Sequence, residues 1–187
     1  MVTDKDIERE RYDQRSAEVL EVAGALPVLG ATGVPLELRR PYLRFEELVG
    51  TTVRENDHVL DLCCGTGQFS FVMAAAGARV TGLDLSATSL ELARRRCPEQ
   101  MLDRMSWIEG DCEKLPFEDG SFTGVTCLGG LSYGDWTLVL DEMIRVLRPG
   151  GWLIAVDSYN HHPIYRFNRW LHRLRGRRTT SVNQRIP

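Results

Sequence analysis

The chain has 187 residues, with 23 basic and 26 acidic side chains, a formal charge of −3 and 43% hydrophobic residues. That balance suits one soluble globular domain with a sizeable core. The sequence predicts neither a membrane-spanning helix nor a secretory signal, since no apolar run approaches about 18 residues and no charged start leads into one. The five cysteines are Cys63, Cys64, Cys97, Cys112 and Cys127. An odd count without Cys-x-x-Cys spacing argues against a zinc site or a disulfide framework and leads us to expect no metal, reduced thiols and a cytoplasmic protein.

In chain order, residues 4 to 23 predict a charged amphipathic helix with Ile7, Tyr12, Val19 and Leu20 on its inner side. Gly24 to Pro35 is rich in glycine and proline and reads as a loop. A second helix is expected over Leu36 to Val49, where Leu38, Tyr42, Phe45 and Leu48 fall near helical spacing despite Pro41. Beyond residue 56 short apolar runs alternate with helical patterns. The strand candidates are 58–62, 79–83, 105–109, 122–127 and 152–157, and the helix candidates are 67–76, 86–96 and 135–147. Such alternation predicts an α/β fold with a mostly parallel, doubly wound sheet and right-handed crossovers. Ser86 and Asp135 stand where helix N-caps belong, and Pro149-Gly150-Gly151 is expected to stop the third of these helices before a strand opens at Trp152.

Residues 59 to 70, Val-Leu-Asp-Leu-Cys-Cys-Gly-Thr-Gly-Gln-Phe-Ser, are the most informative stretch. A buried strand runs into a Gly-Thr-Gly turn and then a helix, the opening of a nucleotide-binding βαβ unit. Glycine is needed there because it permits a tight turn and a close ligand, and the helix start offers unpaired N–H groups. Asp84 follows Gly67 by 17 residues, near the roughly 20 at which an acid meets a ribose hydroxyl pair. Ser70 replaces the third glycine of the dinucleotide pattern. That weakens a pyrophosphate site but not one for an adenosine-bearing ligand.

Four segments in order, Asp61-Leu-Cys-Cys-Gly65-Thr-Gly67, Gly82-Leu-Asp84-Leu-Ser86, Gly110-Asp111-Cys112-Glu113-Lys114-Leu115-Pro116-Phe117 and Leu147-Arg148-Pro149-Gly150-Gly151, resemble class I, Rossmann-like S-adenosylmethionine-dependent methyltransferases of the small-molecule type. The resemblance covers residues 57 to 158. It implies S-adenosylmethionine as cofactor, S-adenosylhomocysteine as product, and a site across the carboxyl ends of the strands. Gly65 and Gly67 would contact the methionine end through their backbone, close to Cys63, and Asp61 would meet the ammonium directly or through water. Asp84 would accept from both ribose hydroxyls, and Leu85 would pack on the adenine. Asp111 would accept from the adenine amino group and the Cys112 N–H would serve a ring nitrogen. Leu128 and Gly129 would pass beside the sulfonium. Tyr12 either closes over the site or is a core tyrosine. On this basis the chain divides into an N-terminal helical cap (residues 1–56), a cofactor-binding α/β core (57–160), and a basic helix and tail (161–187).

The resemblance implies in-line transfer of a methyl group to an oxygen, nitrogen or carbon of a small-molecule substrate. Alignment of the reactants does most of that work, and no catalytic residue is visible. Tyr133, Asp157, His161 and His162 are candidates for a base where one is needed. The stretch after the fourth strand lacks both the Asn/Asp-Pro-Pro-Tyr of amide- and base-nitrogen methylation and the Pro-Cys of attack on cytosine. A nicotinamide-dependent oxidoreductase is disfavoured, and a cofactor-binding protein without turnover is the alternative. The segment from His162 to Leu174 reads as a helix, and residues 161 to 187 hold seven arginines and no acid. A helix covering the acceptor pocket is preferred there over a nucleic-acid or membrane contact. Only Thr179 to Pro187 follow, too few for the family's closing β-hairpin, which leads us to expect a truncated chain.

Overall fold

The computed structural model describes residues 3–22 and 28–157. Its core is a five-stranded sheet of order β3-β2-β1-β4-β5, parallel at every pairing. The strands are β1 (His58–Leu62), β2 (Arg79–Asp84), β3 (Met105–Glu109), β4 (Phe122–Leu128) and β5 (Leu147–Val156). The helices are α1 (Asp4–Val22), α2 (Arg40–Thr52), α3 (Ser70–Ala75), α4 (Ala87–Arg96) and α5 (Trp136–Val146). The strand order reverses between β1 and β4, so the carboxyl ends of β1, β2 and β4 surround one crevice.

Side-chain alternation along β1 sets the two layers. Leu60 and Leu62 join Leu83, Phe122, Val125, Val139 and Met143 on the α5 side. Val59 lies with Phe45, Val49, Met73 and Val80 on the α2 and α3 side. Asp61, two residues after Val59, therefore points to the α3 face rather than into the apolar α5 layer.

Within the described residues the expected strands and helices form, with three starts shifted by three residues or more. The second helix begins at Arg40 rather than Leu36, because Pro41 fits only the first turn; a 3₁₀ turn over Leu36–Leu38 precedes it and leaves Leu38 half exposed. The third begins at Ser70 rather than Gly67, since Gly67 has a left-handed φ of 77°. β5 begins at Leu147 rather than Trp152: Leu147 pairs with Phe122 and Trp152 with Gly124, so the Pro-Gly-Gly segment bulges out of the strand instead of ending the helix. Ser86 and Asp135 cap α4 and α5 as expected, accepting from the amides of Ser89 and Thr137 at 3.0 Å each. The four residues expected on the inner side of α1, Ile7, Tyr12, Val19 and Leu20, are all half-buried, and the fully buried residues of this helix are Glu8 and Ser16. The basic helix, His161, His162 and the question of a closing hairpin lie outside the described residues.

Gly67 and Gly65 have different reasons to be glycine. A Cβ on Gly67 would lie 2.6 Å from the Trp107 ring, 3.0 Å from Phe71 and 3.3 Å from Ala93, whereas a Cβ on Gly65 (φ 54°) meets nothing within 4 Å. Gly67→Ala should therefore combine left-handed strain with overpacking and lower unfolding stability by about 2–4 kcal/mol. Gly65→Ala carries only the strain, about 1 kcal/mol. Urea denaturation of the two variants checks this, and equal losses would contradict it.

Candidate active site

Two contiguous cavities lie at the carboxyl ends of β1, β2 and β4, of about 280 and 380 Å3. They share Tyr12, Cys63, Gly65 and Leu128. The shared wall arises where β1 leaves the sheet: Cys63 takes a left-handed φ of 55°, Gly65 follows in the same region, and the Gly67 amide closes the turn on the Cys64 carbonyl at 3.0 Å.

Asp84 ends β2 in the first cavity. Its Oδ2 accepts from the Gly65 amide at 2.8 Å and its Oδ1 from the Ser86 amide at 2.9 Å. Burial pushes its pKa up, against the pull of those amides. Each carboxylate oxygen keeps a lone pair for a further donor. Leu85 lines the same cavity, as do Asp111 and Cys112 from the turn after β3 and Leu128 and Gly129 from the end of β4. The Cys112 thiol is driven far above its ordinary range by its contact with Cys63 and by burial, so it is inert as a nucleophile.

Asp61 lines the second cavity with both oxygens engaged, accepting from Ser70 Oγ at 2.5 Å and Thr126 Oγ1 at 2.8 Å. Strand register dictates the second partner, since Thr126 sits opposite Asp61 in the β1–β4 ladder. Ser70 opens α3, so the residue standing in place of the third glycine of the dinucleotide pattern ties that helix to β1. Gly67, expected beside the methionine end, is not among the residues lining either cavity, and Trp107 and Phe71 crowd the side where its Cβ would stand.

Sequence reasoning missed most of what α1 contributes. Lys5 Nζ reaches Asp111 Oδ2 at 2.6 Å and Glu113 Oε2 at 2.5 Å. Burial alone would lower the Lys5 pKa, but these two carboxylates hold it above its ordinary value. Glu8 and Arg9 also line the first cavity, and Glu8 is paired with Arg11 at 2.8 Å. Tyr12 stands edge-on to Tyr133, with the hydroxyls 2.8 Å apart. Burial raises both phenol pKa values, so both stay protonated at neutral pH. Tyr133 lines the first cavity, whereas Asp157 accepts from the Ser132 amide at 3.2 Å. Tyr42 lines the first cavity and stacks on Phe69 of the second at 5.2 Å. The only advance signal for this wall was the aromatic spacing of the N-terminal helices.

A parallel sheet with a glycine turn after β1, an acid closing β2 and a cavity at the switch point defines a Rossmann-like nucleotide-binding domain. Residues 59–151 match the family model of a methyltransferase domain. The chain is 39% identical over 113 residues to a demethylmenaquinone methyltransferase of Lactococcus lactis, a match covering 58% of this chain and 45% of that enzyme. The crystal structure of the YcgJ protein of Bacillus subtilis superposes with a TM-score of 0.61 and 28% identity, covering 69% of this chain and 57% of the other. The [4+2]-cyclase SpnF shares the fold at a TM-score of 0.69 and 22% identity, over 86% of this chain and 63% of the other. Residues 59–151, about half of the chain, therefore form a methyltransferase domain of Rossmann-like fold. The chain spans about half the length of the curated relatives it matches.

Burial raises the Asp61 pKa from 3.8 to about 6, so between those values the folded protein holds a proton that the unfolded chain has released. Stability tied to this group is therefore full below the lower value and is lost as pH rises through the upper one. Asp61→Asn should flatten that part of the curve. The thermal midpoint of the parent should fall between about pH 4 and 6 relative to the variant's, and parallel profiles would contradict the assignment.

Proposed function

We propose that the protein transfers the methyl group of S-adenosylmethionine to a small-molecule acceptor. The observation that carries this reading is Asp84. Its carboxylate faces the first cavity with both oxygens pinned by turn amides, beside Leu85, Asp111 and Cys112. A pinned carboxylate is preorganised to receive two hydroxyls of one ribose, because no side-chain freedom is lost on binding. The cavities fit the cofactor in size and in chemistry. The first has acceptors for an adenosine, and the second places the Asp61 carboxyl below the turn for an ammonium. S-adenosylmethionine, when bound, supplies an activated methyl group on a sulfonium.

The chain's own part is to hold the reactants in line and keep water out. Gly65, Leu128, Cys63 and Tyr12 form the passage between the cavities, where the reacting atoms would sit. In the protonated Tyr12–Tyr133 pair one hydroxyl donates to the other, so a single O–H is left to donate to an acceptor and orient it, and neither phenol serves as a base. With the stacked Tyr42 and Phe69 they make a wall suited to a flat aromatic ring. The name of the Lactococcus relative points the same way, so a quinol ring carbon is the acceptor we favour. Residues 1–56 would serve as the cap and 57–160 as the cofactor-binding core.

Calorimetry with S-adenosylhomocysteine and with NAD tests the cofactor. The first should bind and the second should not. Asp84→Ala should weaken S-adenosylhomocysteine at least about 30-fold, as expected for losing two hydrogen bonds to a charged group. Unchanged affinity, in a variant shown to be folded by circular dichroism, would overturn the site. Transfer of labelled methyl from S-adenosylmethionine to a reduced naphthoquinone then tests the reaction. Binding without transfer to any acceptor would favour the alternative of a protein that holds the cofactor without turnover.

A further inference from the structure

The second cavity is lined by two arginines, Arg15 of α1 and Arg96 at the end of α4. Among the described residues neither forms an ion pair, whereas Arg9, Arg11, Arg44, Arg95 and Arg145 are each matched to an acid. Arg96 donates only from Nη1, to Thr66 Oγ1 at 3.3 Å, and its Nε is buried without a hydrogen-bond partner. An N–H left so is costly, and an arginine lacking a counter-charge is costlier still. Burial pushes its pKa down, as expected for a cation with no acid nearby. Thr66 belongs to the glycine turn, so the guanidinium lies beside the passage through which the two cavities join. The one acid lining this cavity, Asp61, is taken up by Ser70 and Thr126.

We infer that Arg96, with Arg15, forms a carboxylate subsite in the second cavity. Arg96 offers the N–H groups of its two terminal amino groups, of which only Nη1 is engaged and only with Thr66, to a carboxylate, a two-pronged contact that lysine does not reproduce. With Asp61 in the same cavity, the wall presents an acid and two cations, the complement of an α-amino acid. This deepens the proposed function and rests on it in one respect: the amino-acid end of the cofactor is the first source of such a carboxylate. An acid group on the acceptor is the second.

The experiment compares S-adenosylhomocysteine with 5′-methylthioadenosine, the same thioether nucleoside without the amino-acid end, by calorimetry on the full chain. Arg96→Gln should weaken S-adenosylhomocysteine about 10-fold or more and leave methylthioadenosine unchanged. Arg15→Gln should act in the same direction but less, because Arg15 is exposed. Arg96→Lys should recover only part of the loss. If Arg96 merely braced Thr66, both nucleosides would weaken together, which overturns the inference. Benzoate titrated into the protein, with and without S-adenosylhomocysteine, covers the second source: benzoate binding lost in Arg96→Gln, with nucleoside binding intact, supports a subsite for an acceptor's acid. A variant that binds all three probes like the parent overturns the inference. Should the parent bind neither nucleoside, the cofactor reading fails, and benzoate alone still decides whether the arginines hold a carboxylate.

Discussion

The Asp84 carboxylate holds the site together. It joins the turn after β1 to the start of α4 by accepting from one amide of each, so the two loops keep a fixed separation. Ser86 extends the link: its amide donates to Asp84, its hydroxyl caps α4 through the Ser89 amide, and that hydroxyl donates to Asp13 of α1 at 2.6 Å. A single charged group thus fixes the glycine turn, orients a helix start and indirectly seats the N-terminal helix. Removing it should disturb geometry as well as ligand contact, which is why folding and binding have to be measured separately.

The hydrogen bonds and ion pairs that seat α1 come from side chains spread along its length. Lys5 meets Asp111 and Glu113, Tyr12 meets Tyr133, Asp13 meets Ser86 and the Thr88 amide, and Ser16 meets Ser89 at 3.0 Å. Each such contact adds only about 0.5–1.5 kcal/mol net, because water competes for the same groups. The sheet is different: Leu60, Leu62, Leu83 and Phe122 are fully enclosed, and each such side chain contributes about 1.5–3 kcal/mol by leaving water. The floor of the site is therefore the stable part of the molecule and its roof the weakly held part.

That contrast also explains what was legible in the sequence. The inner strands β1, β2 and β4 stand out because parallel strands buried on both faces are short apolar runs, and the caps at Ser86 and Asp135 are local chemistry. The burial of Glu8 and Ser16 has no signal in the sequence, because apolar spacing marks a helix against a core, while this helix lies over a cavity and turns them inward beside Tyr12 and Val19. Pairings such as Lys5 with Asp111, 106 residues apart, have no local trace. Gly65 and Gly67 look alike in the sequence, and only the position of Trp107 assigns one to packing and the other to the cavity wall. Asp61 and Asp84 were legible as strand-end acids, but their partners depended on register and on turn geometry.

Charge is sorted within the site, and the sorting favours one orientation of a long ligand. Asp84 pushes the Asp61 pKa up, and Asp13 does the same to Asp84, so the acids around the glycine turn repel one another in the absence of a cation. Lys5 relieves the Asp111 end of the first cavity, and Arg15 and Arg96 stand only in the second. A nucleoside reversed in the crevice would set its amino-acid carboxylate against Asp84 and Asp111 and leave the arginines facing a base. Like charges a few ångströms apart in a partly buried cleft cost several kcal/mol on the order of ε ≈ 20, more than the polar contacts of the adenine could restore. On the cofactor reading proposed above, the electrostatics of this chain would select direction, while the glycine turn and the aromatic wall would select shape.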